Sequence, residues 1–354
     1  MKESFYGDFY SRILQKSRRE NRLLSVEWAL TYKCNLNCKH CYLSAKERKS
    51  AKPELGLAQI KNILDQLQCL GCLNLSLTGG EVFVRKDALD ILEYLKVKGF
   101  HLSLVTNGTL LTEKIAQSLS EFRSPLDLSI SIYSLREDIN AQIVGVRGAL
   151  EKALAAVELL RKKGIPVSIG TLVMKDNLKE FRRIKRFAWQ QRMRFEYDYI
   201  VQPRLDGSLD VLKYQIPLAA IKKLREQEGD FIRITDCSTP LKNLRFSKER
   251  LFYCDAGTTS MSINPYGQAH ICLDFPFPGV DVVKEGVNAG WQKIIEFVKR
   301  MKPPKDYRCY RCEWGDFCTW CPAMGWRYEG KIGSCLSFYK KLAEMNREAF
   351  YDQG

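Results

Sequence analysis

Three cysteines stand in a C-x3-C-x2-C run, Cys34-Asn-Leu-Asn-Cys38-Lys-His-Cys41. Thiolates at this spacing hold three irons of a [4Fe–4S] cluster and leave the fourth iron open, as a catalytic metal centre needs. The competing reading is a zinc knuckle. Zinc asks for a fourth protein ligand and tetrahedral closure, and His40, inside the run, would supply it only with awkward geometry. Eight more cysteines crowd the last third of the chain: Cys237, Cys254, Cys272, Cys309, Cys312, Cys318, Cys321 and Cys335. Cys69 and Cys72 stand apart, where a helix ends and a strand begins, and read as core thiols. Thirteen cysteines are an odd total and do not close into pairs. Nothing at the start of the sequence marks it for secretion, so the chain reads as cytoplasmic and its thiols as reduced.

The elements that must position the first trio are βα units. Six β-rich runs occur at Leu24–Leu30, Leu73–Leu77, Phe100–Val105, Leu126–Ile132, Ile165–Val173 and Arg194–Val201. Amphipathic helical stretches separate them, beginning at Leu57, Ala88 and Ala149, and Gly99 and Gly164 sit where helices should stop. Six units are too few for a closed eight-stranded barrel; they predict an open, partial (βα)6 barrel of the TIM type in an α/β chain. The cysteine run follows the first strand directly. Other polar and glycine motifs fall at later strand ends, where parallel α/β enzymes build their sites. Strand two ends in Thr78-Gly79-Gly80-Glu81, strand three in Thr106-Asn107-Gly108, and strand four runs through Ser131 to Tyr133. Glu81 offers a carboxylate to a cationic amine, and the glycines allow close backbone approach.

Beyond residue 205 the alternation stops. A bridging region (206–250) with a helix from Pro217 to Gln227 leads into a cysteine-dense domain (251–354), with a hairpin turning at Asn264–Gly267 and a closing helix from Ser337 to Tyr351. A basic segment (1–23) precedes the barrel (24–205), and its Arg12–Arg22 run reads as a solvated helix face. His101 and His270 read as structural. The 354 residues are 45% hydrophobic and 27% charged, which excludes wholesale disorder, and no apolar run is long enough to span a bilayer. The formal net charge of +15 favours an acidic partner.

On these residues the chain resembles radical S-adenosylmethionine (radical SAM) enzymes of the SPASM subgroup. The family's cysteine motif matches Cys34, Cys38 and Cys41 with His40 at its variable aromatic position, and its GGE motif matches Gly79, Gly80 and Glu81. The resemblance implies that the open iron is chelated by S-adenosylmethionine, with the GGE segment on its amino group and Thr106, Asn107 and Ser131 among its contacts. Many relatives carry Asp where this chain has Tyr133. The later cysteines fit the SPASM pattern, implying two auxiliary [4Fe–4S] clusters and three in all: Cys309, Cys312, Cys318 and Cys335 at one, Cys254, Cys272 and Cys321 at the other, with Cys237 the candidate fourth ligand there. Cys318 and Cys321 enclose two residues where relatives commonly have three.

The resemblance further implies reductive cleavage of S-adenosylmethionine to a 5′-deoxyadenosyl radical that takes hydrogen from a substrate, fed by an external one-electron reductant. The first expectation for that substrate is a ribosomally made peptide with an acidic leader, cross-linked, oxidised or epimerised. Too few residues precede Cys34 for a leader-binding domain, so recognition falls to the barrel, the basic run or a separate leader-recognition protein. A tetrapyrrole or other acidic small molecule is the second reading. A zinc-ribbon nucleic-acid binder is the third, and neither nucleic acid nor membrane is expected as a partner.

Overall fold

The computed structural model describes residues 2–228 and 248–351. Six strands run parallel in chain order: β1 (Ser25–Thr31), β2 (Asn74–Gly79), β3 (His101–Thr106), β4 (Leu126–Ser131), β5 (Val167–Leu172) and β6 (Arg194–Asp198). Each matches one of the six runs read from the sequence, to within a few residues at the ends. The helices are α1 (Lys2–Glu20), α2 (Ala45–Arg48), α3 (Leu57–Cys69), α4 (Ala88–Leu95), α5 (Glu113–Ser120), α6 (Glu137–Val144), α7 (Ala149–Lys162), α8 (Phe181–Gln190) and α9 (Leu218–Glu228). Cys237 lies outside the described residues.

Side-chain alternation explains why this parallel sheet curls rather than lying buried on both faces. Leu75 and Leu77, Leu102 and Leu104, and Leu128 and Ile130 are fully buried under the helices. Their neighbours Ser76, Thr78, Ser103, Ser129 and Ser131 are only partly buried, on the opposite, concave face. Period-two patterning of this kind gives one dry face and one polar face, which is what an open barrel with a usable interior requires.

The cysteine-rich region is not set apart from the barrel. Strand β7 (Ser260–Ile263) pairs parallel with β1, Ser25 facing Ser260 and Trp28 facing Ile263. It then turns into β8 (Gln268–Cys272) and β9 (Phe275–Asp281), completing one nine-stranded sheet in the order β6-β5-β4-β3-β2-β1-β7-β8-β9. The hairpin turn lies where the sequence placed it, closed by the Gly267 amide donating to Asn264 O at 3.1 Å. Helices α10 (Val282–Glu285), α11 (Val287–Arg300), α12 (Pro322–Glu329) and α13 (Ser337–Tyr351) follow. One apolar cluster runs from Leu75 and Leu77 through Trp28 to Met261, Ile263 and Trp291.

The basic N-terminal run is more than a solvated face. Arg18 makes a two-pronged ion pair with Asp255 at 2.7 and 3.1 Å, and Trp291 Nε1 donates to Asn21 O at 2.8 Å, so α1 is clamped to the C-terminal region. Of the isolated cysteines, Cys72 is buried as expected, with its thiol pushed up to about 12 by burial, whereas Cys69 is exposed. His101 pairs with Asp127 at 2.7 Å on the concave side.

Candidate active site at the barrel rim

A cavity of about 320 Å³ opens at the C-terminal ends of the six parallel strands, within the size range of small-molecule sites. All six strand ends reach it: the cysteine loop after β1, Thr78–Gly80 after β2, Val105–Asn107 after β3, Ser131 and Tyr133 after β4, Leu172 of β5, and Asp198 with Gln202 after β6.

The cysteine loop is held by its neighbours' backbone. Asn37 and Lys39 donate their N–H groups to Val144 O and Ile143 O at 2.8 and 3.0 Å, using carbonyls that the end of α6 leaves unpaired. Cys41 N–H closes a turn on Cys38 O at 3.1 Å. Cys34, Cys38 and Cys41 lie close enough to feel one another's charge, and burial first, then their mutual repulsion, pushes the Cys38 thiol well above its ordinary value. Burial likewise raises Cys34 and Cys41. Arg48 faces all three and pulls the other way. Arg204 adds a second guanidinium, donating to Cys41 O at 2.6 Å while paired with Asp210 at 2.7 Å. Three half-buried thiols opposed by cations, and converging on one cavity, are a donor set that an iron–sulfur cluster fits, because metal ligation removes the desolvation penalty on each thiolate. Asn107 adds an amide contact to Cys34 Sγ at 3.9 Å and bonds Asn35 Oδ1 at 3.0 Å.

The glycines make the close backbone approach expected of them. A Cβ on Gly80 would stand 2.1 Å from Lys33 O, and one on Gly79, at φ 132°, 2.1 Å from Thr31 O. The glycines let the β2 loop pack against the cysteine loop, and Gly80 and Glu81 donate backbone N–H bonds to Thr31 O and Lys33 O at 2.8 and 2.9 Å. Glu81 is placed otherwise than expected. Its carboxylate is 1% exposed and accepts from the Thr106 hydroxyl and the Asn107 N–H, both at 2.7 Å, and from the Phe83 N–H at 3.2 Å. Burial raises its pKa and these three donors push back. Glu81 is therefore not turned to the cavity to take an amine; it ties β2 to β3, and the Thr106 hydroxyl is spent on the same bond. What the motif presents to the cavity is the backbone of Thr78–Gly80, where carbonyl oxygens are the groups able to accept from an ammonium.

His40 and Ser131 do line the cavity. His40 packs edge-on to Tyr133, ring centroids 4.6 Å apart, and is held neutral with its pKa down to about 4 by burial, then Lys39 and Arg204. Its Nδ1 is buried with no partner among the described residues. Tyr133 hydrogen-bonds Ser131. Sequence reasoning missed Tyr42, Arg48, Asp198 and Gln202. Asp198 ends β6, three residues inside the sixth run's end at Val201, so an acidic residue near a strand end was the available signal. Its Oδ1 accepts from the Tyr199 and Ile200 N–H groups at 2.6 and 2.9 Å. Also missed was Glu27, on the concave side of β1 between the buried Val26 and Trp28. Its side chain is open to the concave interior, yet desolvation there, then Asp274, pushes its pKa up to about 7, and it has no hydrogen bond or ion pair among the described residues.

The later cysteines fall into two groups. Cys254, Cys272 and Cys321 are electrostatic neighbours, as are Cys309, Cys312, Cys318 and Cys335. Burial, and then the Cys254 charge, pushes the Cys321 thiol up to about 12. Among the described residues, no three His, Cys, Asp or Glu side chains form the tight shell of a single metal ion. A four-iron cube holds its thiolates wider apart than such a shell does.

Residues 28–188 match the Radical SAM superfamily. This part of the chain is a radical SAM domain. The chain is 26% identical over 254 residues to the antilisterial bacteriocin subtilosin biosynthesis protein AlbA of Bacillus subtilis (strain 168), covering 72% of this chain and 55% of AlbA. It is 26% identical over 326 residues to an AdoMet-dependent heme synthase of Methanosarcina barkeri (strain Fusaro / DSM 804), covering 86% of this chain and 93% of that protein. Crystal structures of SuiB from Streptococcus suis share its fold with TM-scores of 0.65 and 0.67 at 19% identity, covering 86% of this chain and 74% and 72% of SuiB; one is bound to S-adenosylmethionine and one to the precursor peptide SuiA. The partial barrel thus lies largely within the matched segment, and the radical SAM superfamily works with a [4Fe–4S] cluster and S-adenosylmethionine.

Proposed function

We propose that the chain is a peptide-modifying radical SAM enzyme whose first cluster is held by Cys34, Cys38 and Cys41, with S-adenosylmethionine in the rim cavity. When bound, that pair would supply a hydrogen-abstracting carbon radical by one-electron cleavage of the sulfonium. The chain's residues do the rest. The Thr78–Gly80 backbone accepts the amino group, Arg48 offsets the charge of the thiolates, and Tyr133 and Ser131 wall the nucleotide side. The packed, largely apolar surroundings of the thiols keep water from the reactive position. The two later cysteine groups would hold auxiliary clusters that take up the electron released when the substrate radical closes to product, with an external reductant feeding the first.

The observation that carries the peptide reading is the charge of the substrate side. Around β5 and β6 the cavity offers Asp198 and Gln202, and Glu27 stands on the concave face with no ion pair among the described residues. Carboxylates and an amide suit the N–H and O–H donors of a polypeptide, and they oppose a ligand whose own edge carries carboxylates. SuiB, seen with a precursor peptide on the same fold, supports the same direction. The tetrapyrrole reading keeps specific support in the matches along 93% and 84% of two heme synthases.

The test is anaerobic reconstitution followed by iron and sulfide analysis, expected near twelve irons per chain for three four-iron clusters. Reductant and S-adenosylmethionine should then give 5′-deoxyadenosine, and a Cys34→Ala, Cys38→Ala, Cys41→Ala variant should give none. Turnover of a peptide encoded beside this gene, with no turnover of an iron porphyrin, separates the two readings. The reverse result overturns the first.

A further inference from the structure

Helix α8 is built against its own electrostatics. Its buried side is Phe181, Ile184 and Ala188, and its outer side carries Arg182, Arg183, Lys185 and Arg186. Cations in a first helical turn oppose the positive end of the helix dipole, and pairs at i,i+3 and i,i+4 repel one another. Lys185 is answered by Glu228. Arg182, Arg183 and Arg186 have no ion pair among the described residues. Glu180, just before the helix, is buried and bonded to the Ser134 hydroxyl at 2.9 Å. Trp189 continues the stripe one turn further on and is 78% exposed.

Beside this stripe, α8 and α9 enclose a groove of about 300 Å³. Its floor is apolar, with Leu178, Phe181 and Leu224, and its rim carries Lys179, Arg182 and Lys223, none with an ion pair among the described residues. The groove lies on the active-site end of the barrel. The segment that leads into it leaves β5 at Leu172, which lines the rim cavity, and the Lys39–Asp176 ion pair at 2.7 Å ties that segment to the cysteine loop.

Resting on the peptide reading above, we propose that the α8–α9 groove docks an acidic, amphipathic segment of the peptide substrate, outside the residues that react. Carboxylates of that segment meet Lys179, Arg182 and Lys223 and relieve the repulsion along α8. Apolar side chains of the segment fill the floor. The surplus positive charge of the whole molecule steers the segment inward.

The experiment uses the full-length holoenzyme and a fluorescein-labelled synthetic peptide of alternating Glu and Leu, followed by fluorescence anisotropy. Reversing the rim charges with Lys179→Glu, Arg182→Glu and Lys223→Glu should weaken binding about tenfold or more. Replacement by Gln at the same three positions should give an intermediate loss, and added salt should weaken the wild type and spare the reversed variant. A control with the same change in net charge on α1, Arg12→Glu, Lys16→Glu and Arg19→Glu, should leave binding nearly unchanged. Equal losses in the control and the groove variant would reduce the effect to overall charge and overturn the site. A single-stranded oligonucleotide that displaces the peptide from the groove at lower concentration would overturn the choice of occupant. Groove-dependent binding with no peptide ever turned over sinks the peptide reading of the enzyme, whereas peptide turnover that ignores the rim charges sinks the groove alone.

Discussion

Glu81 shows how a residue can matter to a cofactor without touching it. Replacing it with Gln keeps the shape but turns a donating amide toward a group that now donates to it, either the Asn107 N–H or the Thr106 hydroxyl. An unmet buried donor of this kind costs about 1–3 kcal/mol. Glu81→Gln should therefore lower the chemical-denaturation midpoint together with S-adenosylmethionine affinity; weaker binding with unchanged stability would restore the direct amine contact. Gly80 tests the neighbouring packing. Gly80→Ala forces a methyl group against Lys33 O, where backbone cannot yield cheaply, and should cost roughly 1–3 kcal/mol and prevent cluster assembly at Cys34, Cys38 and Cys41. Gly99, at φ 77° with open space around it, is the control, where Ala should cost about 1 kcal/mol and leave the iron content intact. Glu27 governs a pH effect. The unfolded chain releases its proton near 4.5 and the fold only near 7, so between these values the native state holds more protons and loses stability as pH rises. Glu27→Gln should flatten that part of the stability profile, measured by denaturant titration at several pH values; an unchanged slope would place the carboxylate in freely solvated surroundings.

At the scale of elements, periodicity and punctuation were legible and tertiary use was not. The six parallel strands follow from β-rich runs spaced by amphipathic helices, and the strand-end rule found the rim because parallel βα units put every loop of one kind on one side. The same rule could not say that Glu81 turns inward, since a strand-end carboxylate looks alike in sequence whether it faces a cavity or a pair of backbone amides. Helix α1 was legible only as a basic helix. Its partner Asp255 is far away in the chain, and no local pattern marks a contact of that range. The Arg18–Asp255 pair is partly exposed, so Arg18→Ala should cost no more than about 1 kcal/mol of global stability. It should nevertheless free the helix: limited proteolysis between Arg18 and Arg22 should speed up, with the cluster spectrum unaltered. Cleavage at the wild-type rate would mean that Trp291 and the buried Leu23 hold α1 without it.

The whole molecule joins what the sequence reading kept in separate segments. A cysteine-rich domain following a barrel invites the expectation that the barrel could be expressed alone, and the strand order argues otherwise. Strand β1, which carries the cysteine loop, is a central strand only because β7 pairs along Ser25–Trp28; Leu24 and Ser25 also donate to Thr259 O at 2.7 and 3.1 Å. Removing residues 251–354 would leave β1 as an edge with a row of unpaired backbone groups. It would also expose Val26 and Trp28, now 1% and 0% accessible, on a surface that Met261, Ile263 and Trp291 cover at present. A truncated chain ending at residue 250 should therefore aggregate or melt without a cooperative transition, seen by size-exclusion chromatography and thermal denaturation. It should also fail to hold iron at Cys34, Cys38 and Cys41, although every one of those ligands is still present. A monomeric, cooperatively melting fragment that binds four irons would show that the first cluster's scaffold does not depend on β7. In the intact sheet, β1 carries the first cysteine loop at its end and pairs with the strand that leads through the hairpin to Cys272, so a shift at one cysteine group has a direct hydrogen-bonded route to the other.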